Sequence, residues 1–250
     1  MIECKNICAG YRNVTILHDL TFTIPTGGLV SIIGPNGCGK TTLLRTMAKQ
    51  IPPQSGTVLY DGVDIATISR KDLARTAAFL PQVRPIPSIS VQALVSHGRF
   101  PHLGFSRTLR PEDRIAVQRA MEQTGITPWA NRSLDSLSGG ERQRVYLAMA
   151  LAQETDIIFL DEPTTYLDLH YQFDLLELLQ QLQRSGKTIV MVLHDLSLAL
   201  RYSTQVVLMD QGQLLFSDSP QALRSTDLLA QTFHVQTRFF DDHVLFDPLG

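Results

Sequence analysis

The chain has 250 residues, and its 22 Lys and Arg against 24 Asp and Glu leave a formal net charge of −2, so no basic field draws it to nucleic acid. Its three cysteines include no Cys-x-x-Cys pair, which argues against a disulfide framework or a zinc site and fits a reducing compartment. No run of about 18 apolar residues is present to span a bilayer, and Met1-Ile2-Glu3-Cys4-Lys5 lacks the apolar stretch of a signal peptide.

The opening residues, Ile2 to Ile24, alternate and end at the turn Pro25-Thr26-Gly27-Gly28. Ser55 to Tyr60 reads as another strand, closed by the tight turn Asp61-Gly62. These predict an antiparallel sheet beside the main core. A period of two puts Cys4 and Cys8 on one face of the first strand, where they pack rather than bind metal. Four apolar runs then end in chemically loaded residues: Leu29–Ile33 before Gly34, Ala77–Leu80 before Gln82, Ile157–Leu160 before Asp161 and Glu162, and Thr188–Leu193 before His194. Runs apolar on both faces predict central strands of a parallel sheet, whose ligands bind beyond the carboxyl ends. All four loaded positions are expected at that end.

Prolines 85, 87, 101, 111 and 128 punctuate short helical stretches such as Glu112 to Thr124. Residues 84–135 are therefore expected to form an inserted helical subdomain, with 1–83 and 136–250 forming the core. A helix is predicted near Pro220 to Phe233, with a small hairpin around Asp241-Asp242. His97 and His102 read as a loop surface rather than a metal site.

The segment Gly34-Pro35-Asn36-Gly37-Cys38-Gly39-Lys40-Thr41, followed by Thr42, has the form G-x-x-x-x-G-K-[ST]. Its glycines let backbone N–H groups close on phosphate, and the helix after it points its positive end at the same place. Lys40 brings a full charge to the β and γ phosphates, and Thr41 offers a hydroxyl to Mg²⁺. Cys38 reads as a small filler. About a hundred residues later stands Leu137-Ser138-Gly139-Gly140-Glu141-Arg142-Gln143-Arg144. Ser138 and Glu141 make a capping box. A box does not explain Gly139 and Gly140, which weaken a helix start by about 1 kcal/mol each relative to alanine. Close approach of a phosphate explains them, and two cradles in one chain imply that each completes a site on another copy. Asp161 after an apolar strand can hold Mg²⁺ through water, and Glu162 can act as general base, a role worth about 10² to 10⁴ in rate.

With these motifs, nearly the whole chain resembles the ATPase subunit of an ATP-binding cassette (ABC) transporter. The segments Val95 to His102 and Thr164 to Leu169 are similar to those of iron-chelate (siderophore), haem and cobalamin importers. The resemblance implies an α/β, RecA-like P-loop NTPase core with an N-terminal antiparallel β subdomain and an inserted α-helical subdomain. It implies ATP and Mg²⁺ as ligands, with Thr41, Gln82 and Asp161 on the metal and Tyr11 stacked on adenine. Glu162, His194 and Gln82 take the catalytic roles. Ser138, Gly139, Gly140, Glu141 and Asp168 act in trans, in a homodimer. The implied partners are membrane permease subunits and, indirectly, a periplasmic or surface substrate-binding protein. The implied place is peripheral, on the cytoplasmic face of the inner (plasma) membrane, and Val95 to His102 would dock a permease coupling helix. Other ABC systems, a metal-ion importer or a separate-chain exporter, share these motifs. A soluble ABC ATPase acting on DNA or ribosomes lacks support, because neither a coiled-coil insertion nor a second cassette is present. An ordinary P-loop GTPase or kinase lacks support too, because no Asn-Lys-x-Asp motif occurs and Leu137 to Arg144 would go unexplained.

Overall fold

Alternation in the opening residues produces two strands, β1 (Ile2–Tyr11) and β2 (Val14–Ile24), paired antiparallel with Ile2 opposite Ile24 and Tyr11 opposite Val14. The computed structural model describes all residues except 13, 83–85, 105–107, 166, 241–242 and 249–250. The pairing of β1 and β2 is irregular. Asn6 at φ 51° and Asp19 at φ 55° both take left-handed backbone, and the register slips between Cys4 and Ile7. The Asn6 amide donates to Asp19 Oδ1 at 2.9 Å, and the Asp19 N–H donates to Cys8 Sγ at 3.3 Å. This bulge inserts one residue, so the inward set is Ile2, Cys4, Ile7 and Ala9. The expectation that Cys4 and Cys8 share a face is corrected: Cys4 is buried, whereas Cys8 lies between two inward residues and faces the other way. Burial pushes the Cys4 thiol up to about 12.

Next comes β3 (Leu29–Ile33), buried at every position, then the glycine loop and α1 (Lys40–Met47). β4 (Ser55–Tyr60) pairs antiparallel with β1, and β5 (Val63–Asp64) folds back on β4 through Asp61-Gly62. These strands form the expected antiparallel sheet, in the order β2-β1-β4-β5. Tyr60 Oη donates to the Met47 carbonyl at 2.6 Å, pinning the end of α1 to this sheet.

The chain divides into two compact units: Met1–Ile68 with Leu182–Gly250, and Ser69–Gln181. The second contains α2 (Arg70–Thr76), β6 (Ala77–Leu80), α3 (Val91–Ser96), α4 (Pro111–Gln123), α5 (Gly139–Ala152), β7 (Ile157–Asp161) and most of α6 (Leu169–Arg184). Residues 84–135 fall wholly inside it. β6 and β7 pair parallel, with Ala77 opposite Ile157 and Leu80 opposite Leu160. β7 is buried throughout, but β6 alternates, with only Ala78 and Leu80 buried. Of the four apolar runs it is the one not enclosed on both faces, because small Ala77 and half-covered Phe79 lie on its open side.

The segment read as a loop bearing His97 and His102 is instead a 3₁₀ helix, His97–His102, continuing α3. It is drawn inward by two residues. At Gly98 an added Cβ would lie 2.1 Å from the Met149 carbonyl oxygen of α5. Arg99 is 4% exposed and donates to Asp113 Oδ1 at 2.9 Å, to the Ala152 carbonyl at 2.8 Å and to Glu154 Oε2 at 2.7 Å. Asp113 also accepts the Arg110 N–H at 3.0 Å, which caps α4. One buried cation thus ties the 3₁₀ segment to the start of α4 and the end of α5.

The chain then returns to the first unit. β8 (Thr188–Val192) pairs parallel with β3 and is followed by α7 (Leu196–Tyr202). β9 (Gln205–Asp210) lies parallel on the other side of β3, and β10 (Gln213–Asp218) runs antiparallel to β9. The single helix expected near Pro220 to Phe233 is two, α8 (Pro220–Arg224) and α9 (Leu228–Phe233). Thr226 separates them: its hydroxyl donates to the Leu223 carbonyl at 2.7 Å and accepts from the Leu228 N–H at 3.4 Å, replacing helical ladder bonds. β11 (Val235–Phe240) and β12 (His243–Pro248) pair antiparallel as the tail hairpin. The turn expected at Asp241-Asp242 lies outside the described residues. Among the described residues no helix is long and apolar enough to cross a membrane.

Burial alone would raise the Asp113 carboxyl, but the Arg110 N–H and the Arg99 guanidinium outweigh it and hold it below the usual range. Removing Arg99 leaves that charge buried and unpaired, so Arg99→Ala should cost about 3–5 kcal/mol in denaturant unfolding. A depressed carboxyl stabilises the fold above its unfolded pKa, and the contribution is lost as pH falls through the folded value. Below about pH 3.9, the ordinary Asp value, the native chain should therefore lose stability more steeply than Asp113→Asn, measured by melting temperature against pH.

Candidate nucleotide site

In the first unit, the glycine loop leaves β3 and enters α1 without room for side chains at its base. Gly34 has φ 149°, and a Cβ there would lie 2.1 Å from the Met209 carbonyl oxygen and 2.7 Å from Cys38 Sγ. Asn36 and Gly37, at the crest, are exposed. Lys40 is only 6% exposed, and its Nζ donates to the Gly34 and Pro35 carbonyls at 2.8 Å each. The ammonium therefore bends back over the loop, with its charge held where phosphate oxygens would come. Burial pushes the Cys38 thiol up, against the opposing charge of Lys40, so it stays a neutral thiol. Its sulfur occupies the space a Gly34 side chain would need.

Thr41 and Thr42 open α1 behind the loop. Tyr11, 43% exposed at the end of β1, accepts a hydrogen bond on its hydroxyl from Arg45 of α1 at 3.4 Å, which tethers the ring to the helix that follows the loop. His194 is exposed and follows β8. Because β8 and β3 are parallel neighbours, His194 leaves the sheet at the same end as Gly34.

In the second unit, the register Leu80 opposite Leu160 brings Gln82 beside the turn at Glu162. Gln82 Nε2 donates to Glu162 Oε2 at 2.5 Å, and Thr165 Oγ1 donates to the same oxygen at 3.1 Å. Asp161, the last residue of β7, is 1% exposed. Glu162 has φ 51°, a conformation that costs a non-glycine residue of order 1–3 kcal/mol unless its surroundings hold it.

Further along, α5 begins with the capping box read from sequence. Ser138 Oγ accepts the Glu141 N–H at 3.3 Å, and Glu141 Oε2 accepts the Ser138 N–H at 2.7 Å. That Ser138 N–H holds the Glu141 carboxyl below its usual range. Ser138 and Gly139 are exposed, but Gly140 is buried. An added Cβ at Gly140 would lie 2.8 Å from Tyr171 Cγ and 3.0 Å from Cδ2. Sequence reading assigned both glycines to phosphate approach; the Tyr171 ring gives Gly140 an intramolecular reason as well. Asp168 is exposed just before α6, and its carbonyl accepts the Gln172 N–H at 3.0 Å. Two α5 side chains that the sequence did not single out reach neighbouring segments. Gln143 Nε2 donates to the Pro163 carbonyl at 2.8 Å, and Arg144 pairs with Asp174 of α6. Nothing local in the sequence marks Tyr171, Gln143 or Met209, since each matters through a tertiary neighbour.

The residues fit the ligands. A loop base with no space for a Cβ, topped by a lysine ammonium, suits a phosphate chain. Among the described residues no group of three His, Cys, Asp or Glu is placed to hold a metal alone. In the second unit, a Gln82 amide oxygen and an Asp161 carboxylate are the oxygen donors that suit Mg²⁺, which binds through one or two carboxylates with phosphate and water, and the Thr41 hydroxyl of the first unit is a donor of the same kind.

Gly140→Ala should lower the melting temperature by collision with Tyr171, and adding Tyr171→Ala should recover much of that loss. If Gly140 also gives a phosphate access, ATP turnover should stay depressed in the recovered double variant, separating the two reasons for the glycine.

The family described as "ABC transporter" matches residues 17–165. The ferric enterobactin transport ATP-binding protein FepC of Escherichia coli K12 is 43% identical over 247 residues, covering 98% of this chain and 91% of that protein. The iron(3+)-hydroxamate import ATP-binding protein FhuC of Bacillus subtilis is 44% identical, covering 96% of this chain and 90% of that protein. Among solved structures, an inward-facing metal-chelate type ABC transporter aligns with TM-score 0.84 at 26% identity, over 100% of this chain and 97% of that one. CbiO1 of Clostridium perfringens, part of the ABC transporter complex CbiONQ, aligns with TM-score 0.80 at 28% identity, over 92% of each chain. A phosphate loop, a paired-acid turn and a glycine-led helix start on an α/β P-loop fold thus meet with near full-length likeness, and the chain belongs to the ABC transporter family as its ATP-binding component.

Proposed function

We propose that this chain is the ATPase subunit of an importer for an iron chelate of the ferric siderophore class, working beneath a separate permease at the cytoplasmic face of the membrane. The observation that carries the ATPase reading is the Gln82–Glu162–Thr165 cluster at the end of β7. It holds the carboxylate of Glu162, the residue that follows Asp161, in a chain that also carries a phosphate loop. The cargo class is supported by the names of FepC and FhuC.

In this reading Gly34, Pro35, Asn36, Gly37, Cys38 and Gly39 wrap the phosphates with backbone N–H groups. Lys40 exchanges its two loop carbonyls for β and γ oxygens, and Thr42 supports the start of α1. Tyr11 stacks on adenine. Thr41, Gln82 and Asp161 would hold Mg²⁺, which would supply positive charge against that of the phosphates. Glu162 accepts a proton from the attacking water, and His194 orients that water against the γ-phosphate. Two copies pair head to tail, so that Ser138, Gly139, Gly140, Glu141 and Asp168 of one complete the site of the other. Residues 84–135 act as the inserted helical subdomain that meets the permease, and a periplasmic or surface binding protein delivers cargo to that permease.

Glu162→Gln should reduce ATP turnover by about 10² or more while leaving ATP binding intact, so that an ATP-bound pair accumulates on size exclusion. In cells carrying the Gln form in place of the native copy, uptake of labelled ferric siderophore should stop. Haem and labelled cobalamin offered in parallel identify the cargo if siderophore uptake persists, and normal entry of all three would turn the reading towards another ABC system.

A further inference from the structure

Gln143 has no part in the roles above, yet its side chain makes a specific bond. It lies on the helix that begins at Ser138, half-buried, and donates to the Pro163 carbonyl at 2.8 Å. Pro163 directly follows Glu162. A proline has no N–H, so that carbonyl is the one backbone polar group by which the residue can be fixed. The same helix is also held to α6, which follows that turn, by the Tyr171 ring against Gly140 and by the Arg144–Asp174 pair. On the side-chain side, Gln82 and Thr165 hold the Glu162 carboxylate. Glu162 itself stands at φ 51°, where a residue with a side chain stays only if its neighbours keep it there.

We propose that Gln143 is a positioning residue for Glu162. Its amide fixes the backbone of the turn that carries the base, so a shift of the Ser138 helix start is passed to Glu162 of the same chain. This rests on the reading above, in which Ser138 meets ATP held by the partner copy while Glu162 serves ATP held by its own loop. Gln143 then links the two ATP sites of a pair through one chain.

The test uses the transporter complex assembled from two differently tagged copies, one carrying Glu162→Gln and the other with Glu162 intact. Gln143→Met keeps the length of the side chain and removes the donor. Placed in the copy with intact Glu162, it should lower ATP turnover about three- to tenfold, the range of one hydrogen bond. Placed in the Glu162→Gln copy, it should cost less than about twofold by the same measure. Gln143→Lys, which restores a donor, should recover part of the rate in the first placement. Both placements contain the same altered helix, so a general loss of stability would weaken them equally and cannot imitate the difference. Equal losses from either placement, or no loss from either, would overturn the proposal. If a pair with Glu162→Gln in both copies turned over as fast as the native one, the base assignment would fail first, and the role of Gln143 with it.

Discussion

No side chain fits at Gly34, and much of the first unit is arranged around that exclusion. The β9 carbonyl of Met209 closes the loop from below, Cys38 fills the remaining space, and Lys40 closes it from above. A backbone confined in this way has its N–H groups set before any ligand arrives. That is how preorganised dipoles act without reorganisation at the moment of reaction. The supports are ordinary core: β3 is buried at all five positions, and its parallel neighbours β8 and β9 flank it. The entropic cost of ordering a glycine-rich loop is thus offset by a strand buried at every position.

The second unit solves a related problem differently. Glu162, the proposed base, stands on a strained turn, and its carboxylate has to be held by its neighbours. Gln82 and Thr165 converge on one of its oxygens, while Gln143 bonds the carbonyl next along. Here precision comes from side chains that reach across from other segments rather than from exclusion of volume. Such contacts depend on where α5 and β6 lie, which makes the base sensitive to their placement in a way the glycine loop is not.

The sequence was legible where chemistry is local. β3 and β6 match the apolar runs residue for residue, and the capping box at Ser138 forms as its spacing dictates. It was less legible where one residue changes parity or a distant group intervenes. Asn6 looks like any polar strand residue, yet its left-handed backbone reverses the facing of Cys8. Thr226 splits one expected helix by competing for its ladder bonds. Gly140 shows the limit best. Two adjacent glycines invite a single explanation, but the ring that requires one of them comes from another helix.

Arg99 shows why a polar device can be kept inside a helical packing. A buried ion pair is weak as a source of net stability, since apolar side chains of similar size often do as well. What an apolar residue at 99 could not do is select directions. The guanidinium meets Asp113 near the start of α4, the Ala152 carbonyl at the end of α5, and Glu154 beyond it. Three acceptors on two segments fix the angle of the His97–His102 helix as well as its distance. Phe100, 57% exposed on that helix, is therefore presented outward by a residue beside it that is almost wholly enclosed. The electrostatic cost is met where geometry has to be specified, and the apolar contacts of α3, α4 and α5 supply the stability around it.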